Sequence, residues 1–292
     1  MKRRTICEMA SCARRLAWRR AGSALTCCVL TTAATGPALA DAWIPSAGAG
    51  DAQVLYLHES GDRSFPADSF SFTTSPSTRE HVNQIRLTGE HGLGQRFSLD
   101  YDLRFGFLDR TKTSHGDTVT ESSAGPQDQR VTLNLGLHQG ARFADAFGVG
   151  FVAPGSSASN RPRLDSGQWA IEPIYRAGFQ PGFRGLIVDF DIASRLFADG
   201  GAAQFRSHVS VSAPLSRRVR LAAKLYVART VQLSGYNDAL DKGELNDVVR
   251  IGGDLKFRLT KNIEPVVGYE SNIAGIRGHA NHRISLGIKI KY

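Results

Sequence analysis

Apolar and polar residues alternate along most of the chain after residue 40, which is the period of a β-strand with two unlike faces. The pattern is clearest from Phe97 to Phe107. There Phe97, Leu99, Tyr101, Leu103, Phe105 and Phe107 share one face, and Ser98, Asp100, Asp102, Arg104 and Gly106 share the other. It returns as Val131, Leu133, Leu135 and Leu137 against Thr132, Asn134, Gly136 and His138, and as Leu186, Val188, Phe190 and Ile192 against Asp189, Asp191 and Ala193. The last run sets Ile284, Leu286, Ile288, Ile290 and Tyr292 against Arg283, Ser285, Gly287, Lys289 and Lys291. Twelve such strands are predicted, near residues 52–59, 79–90, 95–109, 128–138, 144–153, 167–178, 184–197, 203–213, 217–231, 246–259, 263–273 and 280–292. No stretch after residue 40 approaches the length of a transmembrane helix.

The connections differ in length by turns. Those after the even-numbered strands are tight (Gly92 to Gly94, Gln139 to Phe143, Gln180 to Phe183, Pro214 to Ser216, Thr260 to Asn262), whereas those at 60–78, 110–127, 154–166 and 232–245 are longer and polar. An all-β, closed antiparallel transmembrane barrel of about twelve strands has this asymmetry, with short periplasmic turns and longer extracellular loops. The competing folds are a soluble up-and-down barrel and a two-sheet sandwich. Either would have to fill a wide interior with the bulky aliphatic and aromatic face. In lipid the same face turns outward, and closure satisfies every backbone donor and acceptor. The transmembrane barrel is therefore the expected fold for residues 41–292.

Composition changes the picture mainly at the N-terminus. The 292 residues carry a formal charge of +9, which by itself suggests an anionic partner. Seven basic residues and one acid fall in residues 1–40, leaving 29 basic and 26 acidic residues in the rest. The case for nucleic-acid binding goes with them. All four cysteines (Cys7, Cys12, Cys27, Cys28) lie in the same segment, so residues 41–292 have no disulfide, zinc-thiolate site or cysteine nucleophile. A basic start, an apolar run from Ala21 to Ala34, the Gly36-Pro37 breaker and the small residues Ala38-Leu39-Ala40 read as a signal peptide cleaved before Asp41. Arg14-Arg15 is a poor twin-arginine signal and Ala24 to Cys27 a weak lipobox. An N-terminal anchor helix is disfavoured because the apolar run is too short. The stretch from Asp41 to Asp51, rich in Gly and Ala, is placed to enter the lumen from the periplasmic side.

The closing run from Ile284 to Tyr292 resembles the C-terminal strand of bacterial outer-membrane proteins. That resemblance implies Ile284, Leu286, Ile288, Ile290 and Tyr292 as a membrane-insertion signal read by the barrel assembly machinery of a Gram-negative outer membrane. Ala42-Trp43-Ile44-Pro45 with Gly48 and Gly50, the Gly278-to-Asn281 spacing and the final Ser-Leu-Gly-Ile strand are similar to the outer-membrane family of the phenol meta-cleavage pathway. The resemblance implies a channel or transporter for small, hydrophobic or aromatic molecules.

Catalysis has one candidate. Lipid-cleaving outer-membrane barrels carry His-X-Ser-Asn on a strand near the membrane boundary, the imidazole acting as base for the serine. Here Tyr269-Glu270-Ser271-Asn272 keeps Ser-Asn but puts tyrosine where the base belongs. A phenol holds its proton at neutral pH, and Glu270 points to the opposite face from Ser271. His279 or His282 would have to reach Ser271 from the neighbouring strand. The histidines are otherwise scattered, no omptin-like acid-and-His constellation is visible, and Gly252-Gly253 lacks the helix a phosphate loop requires. No enzyme activity, cofactor or metal is expected. If the apolar faces meet lipid, the lumen receives Asp100, Asp102, Arg104, Arg130, Glu172, Arg176, Asp189, Asp191, Arg195, Arg206, Arg220, Lys224, Arg250, Asp254, Lys256, Arg258, Glu264 and Glu270. So many charges in a modest bore imply cross-strand ion pairs. The expectation is a monomeric passive conduit for small solutes, embedded in outer-membrane lipid and lipopolysaccharide and too narrow for a large diffusion porin. The alternatives are a plugged structural or surface-interaction barrel and, less favoured, a lipid ester hydrolase.

Overall fold

The structure is a computed structural model that describes residues 42–66, 69–114, 117–155, 166–183, 185–198, 202–232, 247–276 and 279–292. The leader assigned to residues 1–40 lies outside them. Among the described residues thirteen strands follow one another: β1 (Gly50–Ser64), β2 (Ser75–Gly92), β3 (Phe97–Ser114), β4 (Asp117–Pro126), β5 (Gln129–Gln139), β6 (Phe143–Ala153), β7 (Ala170–Phe179), β8 (Ile187–Phe197), β9 (Ala202–Pro214), β10 (Val219–Gln232), β11 (Asp247–Phe257), β12 (Ile263–Ile276) and β13 (His282–Lys291). Every pairing is antiparallel between neighbours. β1 and β13 close the sheet from Asp51↔Lys291 to Ser60↔His282. The closed wall has twelve strands, because β4 stands outside it.

β4 is where the sequence reading needs correction. The polar connection over 110–127 is a hairpin: β3 runs on to Ser114, and β4 pairs back along it from Ser114↔Asp117 to Phe105↔Pro126. β3 thus changes partner part-way along, with β5 taking its first half from Phe97↔Leu135 to Asp102↔Arg130. Similarly, β1 and β2 extend into the expected 60–78 loop, and the turn between β12 and β13 is short. The tight turns expected after the even-numbered predicted strands stand, and here they follow β2, β5, β7, β9 and β11. In the one after β7, Gly182 and Gly185 take positive φ (79° and 71°), a backbone conformation other residues adopt with difficulty.

The wall has the reverse polarity of a soluble core. Large apolar side chains are exposed on the outer face of all twelve strands, among them Val54, Ile85, Leu103, Leu133, Phe147, Ile171, Ile192, Phe205, Leu221, Ile251, Val267 and Leu286. The largest fully buried side chains are instead Glu172, Asn134, Thr132 and Ser98, together with Val152 and Val266. Water does not tolerate an apolar belt of that extent around a whole molecule, and acyl chains do.

Two local departures matter. A bulge between Gly136 and His138 adds Leu137 to β5, so beyond it the faces exchange. His138, which alternation places with Thr132 and Asn134, turns to the outer face, where its Nδ1 lies 2.8 Å from Asp145 Oδ1. Tyr175 donates to the same carboxylate at 3.0 Å. The second departure is an apolar patch inside: Leu57 of β1 is buried on the lumen side, and Leu55 packs where a side chain on Gly287 would stand.

Candidate functional site

The lumen is lined by charged side chains that meet across strands, and β6 makes this possible. Its inward positions are Ala146, Gly148, Gly150 and Val152. A Cβ on Gly148 would overlap the Asn134 amide, and one on Gly150 would sit 3.4 Å from Glu172 Cβ. Glu172, on β7, therefore extends over a nearly bare strand to meet Arg130 of β5, whose Nη1 donates to Oε1 at 2.8 Å. From the other side Arg195 of β8 donates Nε–H to Oε2 at 3.0 Å, and Arg206 of β9 pairs with the same oxygen. Arg195 also donates to Asp128, in the connection entering β5, at 2.8 Å.

Asp102 of β3 continues the cluster. Arg86 of β2 grips it with two hydrogen bonds of 2.8 and 3.0 Å, and Arg104 adds another at 3.0 Å from Nε. Arg130 Nη2 stands 3.8 Å from Asp102 Oδ2, joining the two carboxylate centres. A second cluster lies on β1 and β10–β13. Arg283 donates to Glu59 at 2.8 Å and stands 3.5 Å from Glu270, which Arg250 and Lys224 approach at 3.6 and 3.9 Å. Lys224 pairs with Asp254, and the Arg250 guanidinium lies 5.8 Å from the centre of the Tyr226 ring.

The other lumen candidates are spread towards the short-turn end. Arg176 pairs with Asp100, His208 Nδ1 lies 3.2 Å from Asp191, and Ser210 donates to Asp189 at 3.2 Å. Arg220 donates to the Gly185 carbonyl at 3.3 Å and stands beside Lys256 in the strand register. Arg258 follows the end of β11 at the rim, half-exposed and 3.7 Å from Glu264. Sequence reasoning did not count Glu59, Arg86, Asp128 or Arg283 among the lumen candidates, although Arg283 stands on the polar face of the last run. Arg86 had a signal in the alternation of Gln84, Arg86 and Thr88 with Ile85 and Leu87. Glu59 had none, because both faces of β1 carry leucine, valine or tyrosine. Asp128 opens the predicted strand 128–138 in phase with Arg130, but the structure places it in the connection just before β5.

The short-turn mouth is crossed by the segment before β1. Trp43 is buried over Gly178, where any Cβ would overlap the indole, and its Nε1–H donates to the Gly140 carbonyl at 2.8 Å. Gln139 accepts from the Ile44 amide at 2.9 Å and donates to the Ala42 carbonyl at 3.0 Å. At the far end Gly48 and Ala49 hydrogen-bond to Gly92, next to β1. The segment is thus a chord from β5–β7 to β2, held at both ends.

Ser271 is on the outer face. Its Oγ lies 3.1 Å from His282 Nδ1, so the neighbouring strand does bring an imidazole within reach. Tyr269 OH is closer to the same nitrogen, at 2.8 Å, and its ring stacks on the imidazole. Two hydroxyls thus compete for one nitrogen, and among the described residues no carboxylate is paired with His282 to orient it.

No family model and no curated protein sequence matches the chain. Its fold is similar to that of solved bacterial barrels. The COG4313 outer membrane channel from Pseudomonas putida F1 superposes with a TM-score of 0.64 at 15% identity, over 88% of this chain and 100% of that one. The KdgM porin superposes with a TM-score of 0.50 at 11% identity, over 82% of this chain and 99% of that one. The fold is that of an outer-membrane β-barrel.

Proposed function

We propose that the protein is a passive outer-membrane channel for small solutes. The observation that carries this reading is a closed wall, apolar outside on all twelve strands, around a lumen lined by ion-paired arginines, lysines and carboxylates. In this reading the short turns face the periplasm and the long connections the cell exterior. A solute enters between the long connections, passes the charged girdle and leaves past the Trp43 segment. The likeness to an outer membrane channel and a porin supports transport over catalysis. The Tyr269–Ser271–His282 group receives no catalytic role, since Tyr269 competes with Ser271 for the imidazole and no carboxylate among the described residues pairs with it. The resemblance to the phenol meta-cleavage family favours hydrophobic or aromatic compounds among the solutes. Residues 1–40 act as the export signal, the outward side chains of β13 as the signal to the assembly machinery, and a single copy embedded in lipid and lipopolysaccharide as the working unit.

Purified protein reconstituted into planar lipid bilayers should give small, discrete current steps. A silent bilayer with correctly folded protein would overturn the channel reading in favour of a sealed barrel whose long connections bind a partner.

A further inference from the structure

The two charged clusters of the lumen differ in their balance. On β1 and β10–β13, Arg283, Arg250 and Lys224 face Glu59, Glu270 and Asp254, three cations for three acids. In the Asp102–Glu172 cluster the ratio among the described residues is five to three: Arg86, Arg104, Arg130, Arg195 and Arg206 surround Asp102, Glu172 and Asp128. The surplus of two guanidinium groups sits in a narrow, protein-walled space, where charge acts more strongly than in bulk water.

Burial sharpens the asymmetry. The side chains of Asp102 and Glu172 are 3% and 0% exposed, whereas those of Arg86, Arg104 and Arg130 are 28%, 33% and 24% exposed. Asp102 and Glu172 lie behind these three arginines, while Arg195, Arg206 and Asp128 are nearly buried at 11%, 13% and 15%, so the groups turned most to lumen water are the guanidinium edges of Arg86, Arg104 and Arg130. The cluster also stands towards the long-connection end: Arg130 is the second residue of β5, and Arg195 is two residues from the end of β8. On the channel reading, a solute arriving from outside meets it early.

We propose that this cluster is an anion filter and that the channel takes small monovalent anions, carboxylates foremost. The inference rests on the channel reading and adds the sign and class of the solute. Guanidinium pairs with a carboxylate through two parallel hydrogen bonds, which suits an arginine-lined wall to passing such a solute from one donor pair to the next. Because the arginines are already engaged by buried acids, a passing anion is held weakly enough to leave.

The geometry identifies which arginines are surplus. Without Arg104, Asp102 keeps both hydrogen bonds from Arg86. Without Arg206, Glu172 keeps Arg130 at 2.8 Å and Arg195 at 3.0 Å. The double variant Arg104→Gln, Arg206→Gln therefore leaves three arginines for three acids with every carboxylate still paired. The measurement is the reversal potential of the reconstituted channel across a KCl gradient, then with acetate and benzoate replacing chloride on one side. The wild type should prefer chloride to potassium several-fold and pass both carboxylates, and the double variant should conduct with a ratio near one. Should the double variant fail to fold, judged by heat-shifted migration in gels, Arg104→Gln alone should give a partial loss of selectivity. A wild type that prefers potassium, or a folded variant with undiminished anion preference, overturns the filter and leaves the channel intact. A wild type without any current removes the channel reading, and the filter with it.

Discussion

Glu172 is the residue on which the lumen charges are centred. It has no exposed side-chain surface, accepts from Arg130 and Arg195 and pairs with Arg206, so replacing it removes the one carboxylate these three cations share, leaving Arg195 only Asp128 and Arg130 only the more distant Asp102. Breaking a buried ion pair by removing one member costs about 3–5 kcal/mol. Glu172→Gln keeps the shape and one acceptor oxygen, and it should lower stability by about 3 kcal/mol in urea unfolding from lipid vesicles. An Ala replacement of half-exposed Arg258, at the rim, should be close to neutral in the same assay. Alternation in the sequence sets Asp102, Arg130 and Glu172 on polar strand faces. It does not contain the fact that they meet. That depends on Gly148 and Gly150 clearing a path between strands that are not neighbours, and glycine in a strand looks the same whether it clears space or merely bends the wall.

Among the elements, the segment before β1 makes the most specific contacts for its length. Trp43 fits only because position 178 has no side chain. Gly178→Leu should expel the indole, release the chord across the mouth and raise single-channel conductance, shifting Trp43 fluorescence towards that of a solvated indole. Unchanged conductance with a shifted spectrum would mean that the chord does not limit flow. The elements also show what a sequence can hide. Strands whose two faces contrast strongly, such as β3 and β13, are readable by period alone. β1 is readable as a strand over 52–59 but not in which face lines the lumen, because Leu55 and Leu57 face inward, Leu55 into the room left by Gly287. The β3–β4 hairpin is not readable either: a finger standing beyond the closed wall needs no apolar face, so its threonines and serines read as loop. The β5 bulge costs alternation one residue, and His138 with it.

The whole molecule depends on the direction its side chains take relative to lipid. Leu133 is exposed on the outer face of β5, next to Thr132, which is fully buried on the lumen side. Leu133→Arg should destabilise the barrel by about 2–4 kcal/mol in vesicles, the usual cost of a cation near the bilayer midplane. The penalty should fall sharply when the same protein is unfolded from detergent micelles, whose thin apolar shell lets the guanidinium reach water. Equal effects in the two media would mean that this face does not meet a bilayer.

The seal between β1 and β13 has a consequence for biogenesis. Glu59 is fastened to Asn281 and Arg283, side chains 222 and 224 positions further along the polypeptide. Contacts of such long range carry a heavy loop-closure cost and form slowly. A nascent chain cannot fold strand by strand into the finished cylinder, because the first strand must wait for the last. Until the last strand is in place it has two open sheet edges that have to be shielded from other chains.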